Sequence, residues 1–269
     1  MSTVDYHGQT TLITGASAGI GAEFARQMAA RGSNVILVAR RAERLETLAA
    51  ELAATHGARA AVIPLDLSLP AAGQTLAGEV ARRGLEVTSV VNNAGFGTFG
   101  PFHTEDPQRL GQEISVDIAA VVDISRAFIE PLRTAGTGVL VNVASMAAYF
   151  PIPNMAVYAA AKAFVLSFTE ALWHESRGTG LRVLALSPGA TSTEFFDVIG
   201  TDAADGGSKR QSPQDVVATA LRTLDRRTPP PSVVSGRLNR AMATLGRTAS
   251  RRRTVQFMGS TTSARRQVR

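Results

Sequence analysis

Short apolar runs alternate with longer helical stretches along most of this chain, and this alternation constrains its fold more than any other feature. Seven runs are predicted to be β-strands, at 9–14, 34–39, 59–65, 87–92, 138–144, 181–186 and 232–235. Predicted helices lie between them at 22–31, 42–56, 70–83, 108–133, 156–177 and 213–227. Because the second strand reads NVILVA without polar alternation, it is typical of parallel strands covered on both faces. The pattern predicts an α/β fold with a doubly wound parallel sheet that binds ligands at the carboxyl ends of its strands.

A glycine-rich turn joins the first predicted strand to the first predicted helix. It reads Gly15-Ala16-Ser17-Ala18-Gly19-Ile20-Gly21. The first amides of a helix lack partners and lie at the positive end of its dipole, so a phosphate can bind there, and glycines allow its close approach. The spacing differs from the commoner G-x-G-x-x-G fingerprint of dinucleotide sites. A strand before the turn and a helix after it nevertheless favour a cofactor phosphate over a plain tight turn.

Residues after the next strands indicate which cofactor binds. Arg40 and Arg41 stand where an acidic residue would bind the ribose 2′-hydroxyl of NAD(H), so a 2′-phosphate and hence NADP(H) is favoured. The alternative is that both arginines are solvated residues at the entry to a helix.

Asp66 is placed either to accept a hydrogen bond from an adenine amine or to cap a helix. In the sequence Asn92-Asn93-Ala94-Gly95, small residues would let a ribose lie against the backbone, and Asn92 equally suits a tie between strands.

Ser145, Tyr158 and Lys162 carry the strongest catalytic signal. Tyr158 and Lys162 lie four residues apart in a predicted helix, so their side chains share one face. With three tyrosines and two lysines in the chain, a chance pair at this spacing is rare. The ammonium favours phenolate, so we expect it to lower the pKa of Tyr158 towards the range of a general acid. Ser145 ends the fifth strand and could donate to the same substrate oxygen. The alternative is a surface lysine beside a half-buried tyrosine.

Three other segments bear on this site. Asp117 lies within the predicted helix 108–133, where it is either exposed or bends the helix around water. Pro188 and Gly189 force a turn whose amides and carbonyls could hold a carboxamide. The segment 194–211 has no clear periodicity and is expected to form a mobile cover over the cleft.

Composition excludes several classes of function. The chain has no cysteine, and its four histidines are scattered, so we predict no metal site and no thiolate chemistry. No apolar stretch is long enough to span a bilayer, and the first nine residues contain no apolar signal core. A cytoplasmic protein is therefore expected.

The positive charge is concentrated at one end of the chain. Residues 237–269 carry nine Arg and no Asp or Glu, although the net charge of the whole chain is only +6. We interpret this basic extension as a solvated or partly disordered end, or as an oligomer contact. Attraction to nucleic acid or to an anionic membrane is the alternative. Nucleic-acid binding is not expected, because Phe257 is the only aromatic residue in the extension.

Taken together, these motifs resemble the short-chain dehydrogenase/reductase family over about residues 8–235. The resemblance rests on Thr14-Gly15-x-x-x-Gly19-Ile20-Gly21, Asn92-Asn93-Ala94-Gly95, Ser145, Tyr158-x-x-x-Lys162, and Pro188-Gly189 with Thr193. It implies a Rossmann-type seven-stranded sheet flanked by helices in a single domain, residues 1–236, which includes the substrate cleft. The basic extension 237–269 follows it. The resemblance also implies hydride transfer between NADP(H) and a carbonyl or alcohol carbon, and a homodimer or homotetramer.

The resemblance also implies roles for individual residues. Tyr158 would be the proton donor in reduction, Lys162 would bind the nicotinamide ribose and lower the pKa of Tyr158, and Ser145 would polarise the carbonyl. The residues that would bind the cofactor, besides Tyr158 and Lys162, are Gly15, Ser17, Ala18, Gly19, Ile20, Arg40, Arg41, Asp66, Leu67, Asn93, Ala94, Gly95, Pro188, Gly189, Thr191 and Thr193. Where the family usually has Asn in a proton relay, this chain has Asp117, which can accept hydrogen bonds but not donate as Asn does.

The nature of the substrate is less constrained by the sequence. Apolar residues near the predicted cleft favour a hydrophobic ketone, aldehyde or secondary alcohol; they are Phe96, Phe99, Met146, Phe150, Ile152, Met155, Phe195 and Phe196. Core packing explains several of them equally well. A scaffold or regulator that binds NADP with little turnover is the alternative to an enzyme.

Overall fold

A parallel sheet of seven strands, in the order β3-β2-β1-β4-β5-β6-β7, forms the centre of the structure. The structure is a computed structural model that describes residues 4–205, 207–248 and 250–263. The strands are β1 (Thr10–Thr14), β2 (Asn34–Ala39), β3 (Ala60–Pro64), β4 (Ser89–Asn92), β5 (Val139–Val143), β6 (Arg182–Ser187) and β7 (Ser232–Val234). The predicted doubly wound sheet of a Rossmann-type fold is thereby confirmed.

Helices cover both faces of the sheet. They are α1 (Gly19–Ala30), α2 (Ala42–His56), α3 (Ala72–Arg82), α4 (Pro107–Ile114), α5 (Ala120–Ala135), α6 (Ala156–Glu175), α7 (Phe195–Ile199), α8 (Pro213–Leu224), α9 (Arg237–Thr248) and α10 (Arg251–Ser263). Most predicted bounds agree with these to within two residues. As predicted, α8 starts with Pro213 after Ser212, whose hydroxyl accepts a hydrogen bond from the backbone of Asp215.

The strands are apolar on both sides because both sides are buried. In β1, Ile13 packs on the face covered by α1, α2 and α8, whereas Leu12 packs on the face covered by α3 and α5. In β2, Leu37 and Ile36 divide in the same way. Successive side chains of a strand point to opposite faces, so a strand with two covered faces has no polar alternation.

The order of the strands creates a crevice at the carboxyl end of β1. The chain moves from β1 outwards through β2 to β3, and then crosses back to place β4 on the other side of β1. Connections that diverge on opposite sides of the sheet leave a crevice between them. The glycine-rich turn after β1 lies at this point.

The helix predicted over 108–133 consists of three parts. Helix α4 is followed by one π-helical turn, Ser115–Ala119, and then by α5. Asp117 lies in the π-helical turn and is fully buried. Of the two alternatives for Asp117, exposure to solvent is therefore wrong, and the backbone widens where the helix passes this residue. Single π-turns of this kind are frequent at functional sites.

The basic extension is folded as far as the structure describes it. Helix α9 packs against β7 and against the 3₁₀ turn Met146–Tyr149, and Ala243 and Thr254 are buried. The expectation of a disordered end is wrong for these residues, although most of their side chains are exposed as a solvated end predicts, and residues 264–269 lie outside the described ranges. None of the helices in the described ranges is long and apolar enough to cross a membrane.

Candidate active site

The glycine-rich turn leaves backbone amides open at the start of α1. Gly15 adopts a φ of +65°, and a Cβ on it would lie 2.8 Å from the Nδ2 atom of Asn93. A Cβ on Gly21 would collide with the carbonyl oxygen of Gly15. Only glycine fits at either position, and the N-terminus of α1 has no side-chain cap. Uncapped amides at a helix N-terminus fit a phosphate group.

A cluster of charges borders the crevice at the end of β2. Arg41 donates to the Ser17 hydroxyl and, at 2.8 Å, to the carboxylate of Glu194, which also pairs with Arg44. Arg40 is exposed beside them, and it lines the cavity that opens at this crevice. These hydrogen bonds lower the pKa of Glu194. Sequence reasoning did not identify Glu194, because its partners are about 150 positions away in the chain.

Asp66 stabilises its own turn. Its Oδ1 atom accepts hydrogen bonds from the Ser68 backbone, at 2.9 Å, and from the Ser68 hydroxyl, at 2.8 Å. These bonds, together with the nearby charge of Arg40, lower the pKa of Asp66. Helix α3 begins six residues later, at Ala72, so the alternative of a helix cap at Asp66 is wrong. Asp66 and Leu67 both line the cavity.

The two asparagines after β4 have separate structural roles. Asn92 is buried and donates to the Ser125 hydroxyl and to Oδ1 of Asn142, so it ties β4 to its neighbours. Asn93 donates to the backbone of Thr14 and thus holds the glycine-rich turn in place. Ala94 and Gly95 line the cavity with Asn93.

Ser145, Tyr158 and Lys162 meet on the wall of the cavity. Ser145 lies just beyond β5, while Tyr158 and Lys162 are one turn apart on α6. The Ser145 hydroxyl lowers the pKa of Tyr158, and the Ser145 oxygen accepts a hydrogen bond from the backbone of Ala147 at 3.1 Å. The Lys162 nitrogen is 5.6 Å from the centre of the Tyr158 ring. The spacing of Tyr158 and Lys162 places them on one face of α6, as predicted, and this face lies beside Ser145 at the end of β5.

Asp117 lies directly behind Lys162. Its Oδ2 atom is 3.0 Å from the Lys162 nitrogen, and its Oδ1 atom accepts a hydrogen bond from the backbone of Phe96. Lys162 also donates to the carbonyl oxygen of Val143 at 3.4 Å. Burial by itself would lower the pKa of Lys162, but the charges of Asp117 and Tyr158 outweigh it and the pKa is raised. Lys162 is therefore held as an ammonium ion.

The pKa of Tyr158 differs from the expectation. Burial raises it, and the negative charge of Asp117 raises it further, so that the opposing effects of Lys162 and of the hydrogen bond with Ser145 are outweighed. The net direction is upwards, although the ammonium itself acts downwards as predicted. The sequence could not show this balance, because it depends on how deeply the phenol is buried and on the carboxylate behind the lysine.

A second buried carboxyl group lies one helical turn before Asp117. Glu113 is fully buried, and its Oε2 atom accepts a hydrogen bond from the Thr98 hydroxyl at 2.9 Å. Burial raises the pKa of Glu113 to about 7. The hydrogen bond from Thr98 acts against this rise, and the charge of Asp117 adds to it. Sequence analysis missed Glu113, because a lone Glu in a helix is usually solvated.

The turn after β6 and the segment beyond it close one side of the site. Thr191 donates to the carbonyl oxygen of Gly189 at 2.9 Å, and the Thr193 hydroxyl accepts from the backbone of Phe195 at 3.3 Å. The Phe195 ring lies 5.3 Å from that of Tyr158. Part of the irregular cover predicted at 194–211 is therefore the short helix α7, which contacts the tyrosine.

One cavity of about 700 Å³ connects the glycine-rich turn, the ends of β2 and β4, the Tyr158 helix and the turn after β6, whereas Asp117 and Glu113 do not line it. Every residue predicted to bind the cofactor lines it, as do Ser145, Tyr158 and Lys162. Its far end is apolar and includes Phe150, Ile152 and Met155. Residues of the extension also line it, namely Asn239, Met242, Phe257, Met258 and Thr261. Sequence reasoning missed these five, because the position of α9 and α10 depends entirely on tertiary packing.

Comparisons with known proteins agree with this geometry. A sequence profile described as "short chain dehydrogenase" matches residues 9–204. The human 17-beta-hydroxysteroid dehydrogenase type 3 is 32% identical over 197 residues, which cover 72% of this chain and 63% of the human protein. The match therefore spans less than two thirds of that relative. Sulfoacetaldehyde reductase 2 from Chromohalobacter salexigens is 37% identical over 187 residues, which cover 68% of this chain and 73% of the reductase.

A solved structure shows the same fold over nearly the whole chain. The short-chain dehydrogenase from Sphingobium yanoikuyae in complex with NADPH superposes with a TM-score of 0.78 and 31% sequence identity. The superposition covers 89% of this chain and 93% of the Sphingobium chain.

Proposed function

The chain belongs to the short-chain dehydrogenase family, and on that premise we propose that it is an NADP(H)-dependent oxidoreductase that interconverts a hydrophobic ketone or aldehyde with its alcohol. The observation that carries this proposal is the meeting of Ser145, Tyr158 and Lys162 in the cavity that also contains the glycine-rich turn. Hydride transfer from a dinucleotide requires a site that binds the cofactor phosphates and a proton donor near the substrate. Both lie along this one cavity.

The residues around the crevice suit NADP(H). The open amides of α1 would hold the pyrophosphate, and Arg40 and Arg41 would bind the 2′-phosphate. The similar Sphingobium structure contains NADPH. When bound, the cofactor would supply the hydride.

Tyr158 would act as the acid and base. In reduction its hydroxyl would donate a proton to the substrate oxygen as the carbon receives the hydride, so that an alcohol forms. Ser145 would donate a hydrogen bond to the same oxygen, because its own oxygen already accepts from Ala147. The ammonium of Lys162 would stabilise the phenolate that remains on Tyr158. In the oxidation direction that phenolate would accept the proton.

Asp117 would act as a positioning residue. Both of its carboxylate oxygens are engaged, one by Lys162 and the other by the backbone of Phe96. It would hold the ammonium in place and in its charged form. An Asn at this position could hold the ammonium through a hydrogen bond but would add no negative charge beside it, so we propose that the chain uses a charge where the family usually uses an amide.

The lining of the cavity favours a hydrophobic substrate. Beyond Tyr158 the walls carry Phe150, Ile152, Met155 and Phe195. The names of the relatives differ in substrate, a steroid for the human protein and a small sulfonated aldehyde for the bacterial one. A sulfonate would need cationic partners, but Arg109, which lines the cavity, already contacts the Phe96 ring and the carbonyl oxygen of Val198, and the apolar residues suit a steroid-, lipid- or aryl-type carbonyl.

The oxidation of NADPH with a panel of hydrophobic ketones and aldehydes tests the function. Turnover by the wild-type protein should fall about 10²- to 10⁴-fold in Tyr158→Phe. The matched control is Tyr149→Phe, the same chemical change at a tyrosine that does not line the cavity. Fluorescence titration should show that NADPH binds both variants. If the wild type binds NADPH but turns over nothing on the panel, the scaffold alternative is supported instead.

We also propose, as the sequence led us to expect, that the protein is cytoplasmic and, from the family resemblance, that it forms a homodimer or homotetramer. Light scattering coupled to size-exclusion chromatography gives the mass directly. A monomer at micromolar concentration would contradict the second point.

A further inference from the structure

Exposed apolar side chains are concentrated in the last two helices. Among the described residues, ten large apolar side chains are exposed, and five of them belong to α9 and α10: Leu238, Met242, Leu245, Val255 and Phe257. Leu238 is 74% exposed and Leu245 is 68% exposed. Scattered exposed apolar residues are normal, but a local concentration marks an interaction site.

In α9 these side chains lie along one face. Leu238, Met242 and Leu245 follow one another at intervals of four and three residues, which places them on the same side of a helix. A different side of α9 packs on the protein, since Ala243 is buried and a Cβ on Gly246 would collide with the Phe150 ring. The exposed apolar face is thus separate from the face that attaches the helix.

This apolar face is continuous with the mouth of the cavity. Met242 on α9, Phe257 on α10 and Val198 on α7 all line the cavity, and each is also at least 36% exposed. A molecule that enters between these helices would pass from an apolar surface directly into an apolar pocket.

The charge around the face indicates what it contacts. The side chains of Arg237, Arg240 and Arg251–Arg253 are exposed, and residues 237–269 contain no Asp or Glu. A twofold contact between two copies would set this surface against itself, with like charges opposed. An anionic lipid surface accepts both the apolar side chains and the arginines.

We propose that α9 and α10, which we call the docking face, bind to the surface of an anionic membrane and open the substrate pocket towards it. The apolar side chains would enter the headgroup region while the arginines bind lipid phosphates. The description of the pocket as a substrate pocket rests on the proposed function, whereas the vesicle binding tested below does not depend on whether the proposed activity is correct.

Co-sedimentation with vesicles tests this docking face. The full chain should bind vesicles of equal parts phosphatidylglycerol and phosphatidylcholine, and should bind pure phosphatidylcholine far less. Added salt should weaken the binding, because exposed charges are screened. Replacing Arg251, Arg252 and Arg253 together by Gln should weaken it by about tenfold or more. A lack of binding to the anionic vesicles at low salt would overturn the proposal.

The variant Leu238→Ser/Leu245→Ser separates insertion from simple adsorption. Neither residue lines the cavity, and both are exposed, so folding and turnover of soluble substrates should be unchanged. Lipid binding should fall several-fold, whereas Leu69→Ser, at an exposed apolar residue before α3, should leave it unchanged. Unaltered vesicle binding in the double variant would overturn the proposal. So would a lower molecular mass of that variant without lipid, because it would assign the face to a second copy of the chain.

Discussion

The Asp117 carboxylate lies 3.0 Å from the Lys162 ammonium, and both side chains are shielded from solvent. The contact joins the π-helical turn to α6, and it lies against Gly95. A buried charge without a partner is costly, so each of the two charges stabilises the other. The charge of Lys162 is therefore coupled to that of a carboxylate.

Replacing Asp117 with Asn should shift the pH dependence of activity. Because Asp117 raises the pKa of Tyr158, its neutralisation should lower that pKa, and alcohol oxidation, which needs the phenolate, should reach half its maximum at lower pH. The measurement is kcat/KM against pH in the oxidation direction. Asp123→Asn, a half-buried residue of α5, is the control.

Asp117→Ala should in addition cost about 3–5 kcal/mol of stability, which urea unfolding would detect. An unshifted profile in Asp117→Asn would refute the coupling.

Replacing Glu113 with Gln should remove a pH dependence of stability. The pKa of Glu113 is raised to about 7 from an ordinary value of 4.5, mainly by burial. Between pH 4.5 and pH 7 the folded state keeps a proton on Glu113 that the unfolded state has lost. The free energy of unfolding of the wild type therefore falls as the pH rises through this range, and it stays low above pH 7. Glu113→Gln should equal the wild type near pH 4.5 and exceed it by roughly 3 kcal/mol above pH 7. Thermal unfolding from pH 4.5 to 8 measures this, with the exposed Glu46→Gln as control. A constant difference across that range would contradict the prediction.

Replacing Arg40 and Arg41 with Ala should change the cofactor preference. A charge-assisted phosphate contact contributes about 1.5–3 kcal/mol, so the double variant should bind NADPH at least about tenfold more weakly while its affinity for NADH stays nearly the same. Fluorescence titration with both cofactors checks this. Arg177→Ala, at an exposed arginine past the end of α6, controls for the loss of charge alone. Tighter binding of NADH than of NADPH by the wild type would overturn the assignment of the cofactor.

Replacing Gly95 with Ala should impair activity through the same ion pair. A Cβ on Gly95 would lie 2.9 Å from both the Oδ1 atom of Asp117 and the nitrogen of Lys162, so one of them must move. We expect kcat to fall about tenfold or more, since a small displacement of a catalytic group is costly. Gly78→Ala, on α3 with open space around its Cβ, should leave kcat unchanged and slightly stabilise the helix. Equal kcat values for the two variants would show that the ion pair tolerates the displacement.

Features of the site that depend on local spacing could be predicted from the sequence. The apolar runs predict buried strands, the glycine-rich turn after β1 predicts a phosphate site, and the interval from Tyr158 to Lys162 predicts a shared helix face. The periods of strands and helices are properties of the backbone, so they can be derived from the order of residues alone. Even there the bounds moved by a residue or two, and the helix around Asp117 contains a π-helical turn that no pattern indicated.

Only the tertiary structure decides which distant groups meet and how much water reaches them. It brings Asp117 behind Lys162, buries Glu113 beside Thr98, joins Glu194 to Arg41, and lays α9 and α10 along the substrate pocket. The balance of charges around Tyr158 follows from burial and separation in space, which a linear pattern does not encode. The sequence by itself thus determined the sheet and the spacing that places Tyr158 and Lys162 on one helix face, whereas packing decided the protonation of these groups and the residues around the mouth of the cavity.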